Sequence, residues 1–375
     1  MNNCHMKKRI LFLIPTLMNG GAERVLLNLV NNMNYDQFDI SVKTVMNVGR
    51  YQSQLDERIH YSYIFNSLHK GTRFFFNFFS PEYLYNRYIG YNYDIVVSYL
   101  EGMTSRIVSG CQNQDVKKVT WIHIELNNKK LFTIGFRSFR EAKKCYKSFD
   151  NIVCVSDTVR KCFEEVSGIH DNLQVLYNTN ETDQIRKHML EPVDDMEFNQ
   201  DAFNICSVAK IEPSKGYDRL VRIHKKLLSD GIKNRVFVFG TGSEKDKLEA
   251  YLKENNLTGS FRFVGYRENP YKYIRLCDLY VCSSRREGFS TAVTEALIIG
   301  LPVISTNCSG AKELLGYNNE YGIVVDNDEL ALMNGIREML SVEGLLDYYK
   351  QQAIKRGEFF STEKTVAAVT NMLLS

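Results

Sequence analysis

Along the chain, short and nearly continuous apolar runs alternate with segments whose apolar positions recur at helical spacing. In the first half the runs fall at 10–17, 39–45, 94–99, 119–124, 151–155 and 173–177. In the second half they fall at 204–208, 235–239, 261–264, 279–282, 303–305 and 322–325. Runs this short and this apolar predict strands buried on both faces, and the intervening patterns, such as 217–228, 245–255 and 291–299, predict helices. The alternation predicts α/β architecture with parallel sheets covered by helices. A polar, acidic stretch containing Pro192 interrupts it between Thr179 and Asp201. The reading is therefore two doubly wound, Rossmann-like domains, at 1–180 and 202–375, joined by a linker at 181–201. The last helix is free to cross back to the first domain. Ligands of such sheets sit beyond the carboxyl ends of the strands, so a cleft faced by both domains is the expected site.

The first run leads into "IPTLMNGGAERVLLNLV", where Gly20 and Gly21 separate a strand from a helical pattern of Val25, Leu26, Leu29 and Val30. Lys7, Lys8 and Arg9 before an apolar run resemble a secretory leader, but Pro15 and the lack of a small-residue cleavage site favour a buried strand. No run approaches the roughly 20 apolar residues that a membrane-spanning helix needs. The 375 residues, 44% hydrophobic, exceed the usual size of a single core. A balance of 47 basic against 44 acidic side chains, net +3, gives no ground for nucleic-acid binding by overall charge. The nine cysteines, at 4, 111, 145, 154, 162, 206, 277, 282 and 308, show no metal-ligand spacing and read as reduced core residues of a cytoplasmic protein.

Three places carry candidate chemistry. Gly20-Gly21 forms a strand-to-helix turn where backbone amides can receive a phosphate, although a plain tight turn has the same pattern. In "SVAKIEPSKGYDRLV", Lys210 and Lys215 share one strand-to-helix loop and suit a diphosphate, whose departing charge they could neutralise; solvated loop lysines read alike. In "SSRREGFSTAVTEALIIGLPVIST", Glu287 follows a strand, Gly288 allows a turn, and Glu295 lies in the next helix, so one carboxylate meets a ligand at the loop while the other reaches a neighbouring hydroxyl pair. Asp326-Asn327-Asp328 matches the Asp-x-Asp metal motif formally. With Glu329 three residues after Asp326 it reads instead as a helix-capping box, and no metal is expected.

Taken together, Glu287-Gly288-Phe289-Ser290, Glu295, Gly300-Leu-Pro-Val-Ile, Lys210 with Lys215-Gly216, Gly240-Thr-Gly242 and Gly20-Gly21-Ala-Glu-Arg resemble the retaining glycosyltransferases of family 4, of GT-B fold. The resemblance covers nearly the whole chain. It implies that Lys210 and Lys215 contact a donor pyrophosphate, that Glu295 binds ribose hydroxyls and that Glu287 faces the transferred sugar. It places Gly265-Tyr266-Arg267 at the nucleotide base, Gly20, Gly21, Gly240, Gly242, Gly288, Phe289 and Ser290 around the donor, and His123 beside the sugar. The family usually has Arg at 210 and Gly at 209, where this chain has Lys210 and Ala209. Lysine keeps the charge and loses the bidentate geometry.

The resemblance thus implies a retaining, metal-independent hexosyltransferase without cofactor, using a nucleotide-diphosphate sugar, UDP-linked by preference, and a glycan or polyprenyl-diphosphate-linked acceptor. Capsule, O-antigen or a similar surface polysaccharide would be the product. Alternatives are a sugar-nucleotide 2-epimerase and a non-catalytic nucleotide-sugar-binding subunit. Finally, Lys129, Lys130, Arg137, Arg140, Lys143, Lys144 and Lys147 stand among Leu131, Phe132, Phe136, Phe139 and Phe149. If helical, this segment is a basic amphipathic surface suited to the inner face of the cell membrane, or else a surface helix packed on the sheet. The aromatic stretch 73–88 could join it as an interfacial anchor, although buried packing is the favoured reading of the residues.

Overall fold

The apolar run at the start of the chain becomes strand β1 (Lys8–Ile14), whose last five residues are all buried. Both of its edges are paired, to β2 (Phe38–Met46) and to β4 (Ile95–Ser98), and both pairings are parallel. These coordinates are a computed structural model describing residues 7–18, 20–67, 76–198 and 201–375. Cys4, the residues 73–75 of the aromatic stretch, and 199–200 of the expected linker lie outside the described residues.

Among the described residues the first sheet runs β3-β2-β1-β4-β5-β6-β7, with β3 (His60–Phe65), β5 (Lys117–Ile122), β6 (Asn151–Cys154) and β7 (Leu173–Val175). The second runs β10-β9-β8-β11-β12-β13, formed by β8 (Phe203–Val208), β9 (Asn234–Phe239), β10 (Phe261–Gly265), β11 (Leu279–Cys282), β12 (Val303–Thr306) and β13 (Ile323–Val325). Strand order reverses between β1 and β4 and again between β8 and β11. Successive connections there leave in opposite directions and open a crevice at the carboxyl ends. In the second sheet Ile205, Val236, Val238, Leu279, Val281 and Ile304 pack with Leu220, Val221, Ile223 and Leu227 of helix Tyr217–Ser229. Burying each such side chain stabilises by about 1.5–3 kcal/mol, so this face anchors the loops above it.

The chain divides into two compact units, one running to Thr179 and including Glu363–Ser375, the other Asn180–Thr362. Several expectations are revised. Strand β3 lay outside the predicted runs because it contains no fully buried residue and alternates aromatic with polar side chains at a sheet edge. The expected linker holds a helix, Thr182–His188, whose Ile185 is buried, so most of it belongs to the second unit. Segment 129–147 is not one helix: Lys129–Phe132 and Phe139–Tyr146 are separated by a bend at Gly135, where φ is +84°. Phe132, Phe136, Tyr146 and Phe149 are buried, with Phe132, Tyr146 and Phe163 in mutual ring contact. Those phenylalanines cannot insert into a membrane. The Asp-x-Asp segment caps a helix through a different residue from the one expected, since Asp328 rather than Asp326 accepts the Ala331 N–H at 2.8 Å.

Candidate functional site

Two loops at the switch point of the second sheet bring the predicted cation and acid together. After β8 the chain makes a short turn, Pro213–Lys215, and Gly216 starts helix Tyr217–Ser229 with φ +68°. A Cβ at Gly216 would lie 2.1 Å from the Ser283 carbonyl oxygen, so only glycine lets this loop approach the one after β11. Across that contact Lys215 Nζ donates to both Glu287 oxygens, at 2.7 and 2.8 Å. The Ser284 hydroxyl donates to Glu287 Oε1 at 2.6 Å. The side chains are 23% and 12% exposed, so the pair stays open to a ligand while largely withdrawn from water.

Arg219, which the sequence reading did not single out, holds this arrangement. The residue is 3% exposed, and its guanidinium donates to the carbonyls of Ser283 and Ser284, at 2.6–2.9 Å, and to Asn327 Oδ1 at 2.9 Å. Burial lowers its pKa, and it pairs with dipoles at the strand ends rather than with a carboxylate. Arg285 adds a second tie, binding Asp218 with both terminal nitrogens and the Pro213 carbonyl with one. A fork spanning several carbonyls is something arginine geometry permits and lysine does not.

The other predicted residues take varied places. Lys210 stands exposed on the loop after β8. A Cβ at Gly240 would meet the Ala209 oxygen at 2.0 Å, and one at Gly242 would meet the Ile211 oxygen at 2.2 Å, so both glycines serve the packing of neighbouring loops. Glu295 accepts from the Tyr271 hydroxyl at 3.1 Å. Tyr266 is exposed, while Arg267 pairs with Asp195 at 3.6 Å. Phe289 turns inward, 6% exposed and edge-on to Phe360. Beside Gly288, Ser290 caps helix Thr291–Ile299 by accepting the Val293 N–H.

The first unit holds its own cluster at the switch point between β1 and β4. Gly20 precedes helix Gly21–Asn32, and a Cβ there would lie 2.0 Å from Glu23 Oε2. His123, just past β5, donates its backbone N–H to Glu101 Oε2 at 2.8 Å, and its ring lies 5.2 Å from that of Tyr99. His123 Nε2 is buried with no partner among the described residues. Burial pulls the imidazole down to about 4 and pushes Glu101 up to about 7. The ring is therefore neutral near pH 7 and the acid is poised to titrate there. Glu101 was also missed, although its place after the strand where order reverses is a signal that the sequence carries.

Residues 193–356 match the model of Glycosyl transferases group 1, and residues 19–184 match that of Glycosyltransferase Family 4. The chain is 32% identical over 203 residues to N-acetylgalactosamine-N,N'-diacetylbacillosaminyl-diphospho-undecaprenol 4-alpha-N-acetylgalactosaminyltransferase of Campylobacter jejuni. That match covers 54% of this chain and 53% of the relative, about half of each. An uncharacterized glycosyltransferase of Haemophilus influenzae is 24% identical across 91% of this chain and 90% of its own. Among solved structures, Anabaena Alr3699/HepE in complex with UDP and glucose superposes with a TM-score of 0.77 at 17% identity, covering 98% of this chain and all of that one (100%). The chain belongs to the two-domain glycosyltransferases of GT-B fold and is family 4-like.

Proposed function

We propose that this protein is a retaining, metal-independent glycosyltransferase that moves a hexose or N-acetylhexosamine from a UDP-sugar to a lipid-linked glycan in bacterial surface-polysaccharide assembly. The observation that carries the reading is the Lys215–Glu287 pair, held over the switch point of β8 and β11. A donor diphosphate placed there draws the Lys215 ammonium toward its oxygens and releases the Glu287 carboxylate to the sugar hydroxyls. Lys215, Lys210 and the backbone amides of these loops then stabilise the leaving diphosphate, and charge stabilisation of this kind is worth most at the transition state. In this reading Glu295 takes the ribose hydroxyls. No protein nucleophile and no cofactor is assigned.

The UDP and glucose named for the Anabaena protein support the donor class, and the diphospho-undecaprenol in the Campylobacter relative's name supports a polyprenyl-diphosphate acceptor. The enzyme would work in the cytoplasm at the inner face of the membrane. Among the described residues no helix is long and apolar enough to cross a bilayer. Incubating the purified protein with labelled UDP-, GDP- and ADP-sugars tests the reading. Release of UDP with transfer supports it; isomer exchange identifies a 2-epimerase, and binding without turnover a non-catalytic subunit. Lys215→Ala should lower kcat/KM by about 10²–10³ with unchanged circular dichroism, and near-normal transfer by that variant overturns the assignment.

A further inference from the structure

We propose that Tyr271 is a positioning residue for the donor ribose, its hydroxyl holding the Glu295 carboxylate in the pose that two adjacent sugar hydroxyls require. Tyr271 Oη donates to Glu295 Oε1 at 3.1 Å, across 24 positions of the chain. Glu295 lies mid-way along helix Thr291–Ile299 and is partly exposed, while its neighbours Thr294 and Ala296 are buried. The helix backbone therefore fixes where the glutamate starts but not where its carboxyl ends, because three rotatable bonds lie between.

A ribose presents two vicinal hydroxyls. A carboxylate takes both only when its plane lies along them, since donors approach a carboxyl oxygen near that plane. An ionised carboxyl offers about four acceptor sites, so one spent on Tyr271 still allows two ribose hydroxyls. Fixing the pose before the ligand arrives removes rotamer freedom that binding would otherwise have to remove.

The phenol is itself firmly mounted. Tyr271 opens helix Tyr271–Ile274, and its N–H is taken by Asn269 Oδ1 at 3.1 Å. Asn269 Nδ2 donates in turn to the His188 carbonyl and to Glu191 Oε2, both at 2.9 Å. Tyr273 and Ile274 are buried, and the Tyr273 hydroxyl donates to Asp195 Oδ2 at 3.0 Å. The support thus reaches from the end of helix Thr182–His188 to the loop that follows β10. That loop begins with Gly265-Tyr266-Arg267, the segment expected at the nucleotide base. One hydrogen bond therefore ties the base loop to the ribose acid. The inference rests on the donor site proposed above and on Glu295 as its ribose-binding acid.

The test is titration calorimetry on the full-length chain, wild type beside Tyr271→Phe, with UDP and 2′,3′-dideoxy-UDP as the two probes. Wild type should bind the dideoxy form at least about tenfold more weakly than UDP. Tyr271→Phe should weaken UDP about tenfold and the dideoxy form by less than about twofold, because the pose matters only to a ligand that has the hydroxyls. On a Glu295→Ala background the same substitution should change the UDP Kd by less than about twofold. Tyr271→Leu, which also lacks the hydroxyl, stands in should the phenylalanine variant misfold. An unchanged UDP Kd in Tyr271→Phe overturns the proposal. So does equal weakening of both probes, the result that a merely structural tyrosine gives. A wild type that binds UDP and its dideoxy form alike overturns the assignment of Glu295 and this inference with it, and a wild type that binds neither overturns the donor reading as a whole.

Discussion

At the scale of single residues, the site depends as much on what holds Glu287 as on Glu287 itself. Arg219 has no carboxylate partner in the hydrogen bonds it makes to Ser283, Ser284 and Asn327, so its charge is shared among dipoles. Arg219→Lys keeps the charge but orphans buried carbonyls, each costing about 1–3 kcal/mol. Urea unfolding should show a loss in that range, with lysine rescuing little over alanine; a change below about 0.5 kcal/mol would remove Arg219 from this role. Glu101 offers a pH test. Its folded pKa is raised by burial from 4.5 to about 7, so between those values the folded state holds the proton more tightly than the unfolded chain. Stability from this group is present at low pH and declines as pH rises through that window. His123, lowered to about 4, has the opposite sign, which is why the comparison must isolate Glu101. Glu101→Gln should be near neutral at pH 5 and stabilising by about 1–3 kcal/mol at pH 8 in thermal unfolding. Equal effects at both values would show that the acid does not titrate as described.

Among the elements, the basic segment changed most between expectation and structure. Its seven cations were legible, and so was its amphipathic spacing, but spacing alone does not say whether an apolar face meets lipid or protein. Phe132 and Tyr146 meet the ring of Phe163, and Arg137 donates to the carbonyls of Asn77 and Phe79, so the face is satisfied within the unit. Any membrane attraction is left to the exposed lysines, at roughly 1 kcal/mol each near an anionic surface. Flotation with anionic liposomes should therefore be abolished by high salt and by Lys143→Glu/Lys144→Glu/Lys147→Glu together. Salt-resistant flotation would mean that another, apolar element inserts. Strand β3 teaches a related lesson, since an edge strand of tyrosines and polar residues lacks the apolar run that marked its neighbours.

For the whole molecule, the strand order reverses once in each sheet, and the candidate residues collect at those reversals. UDP should slow amide exchange in 209–216 and 283–290 of the second unit and leave the amino ends of its strands unchanged; protection confined to those far ends would displace the site. The alternation of apolar runs and helical patterns was enough to establish α/β architecture and two sheets, because burial on both faces leaves a signature in every strand. It also located Lys215, Glu287 and Glu295, whose neighbouring glycines and strand ends are local features. It was silent on Arg219 and Glu101. Each of these depends on partners many residues away: Arg219 lies 64 positions from Ser283, and Glu101 22 from His123. Periodicity reports which side of an element is apolar, a property of neighbours in the chain. Which carbonyl meets which guanidinium is settled only when strands distant in sequence come into register, because a hydrogen bond needs its partners within about 3 Å and no local pattern encodes that distance.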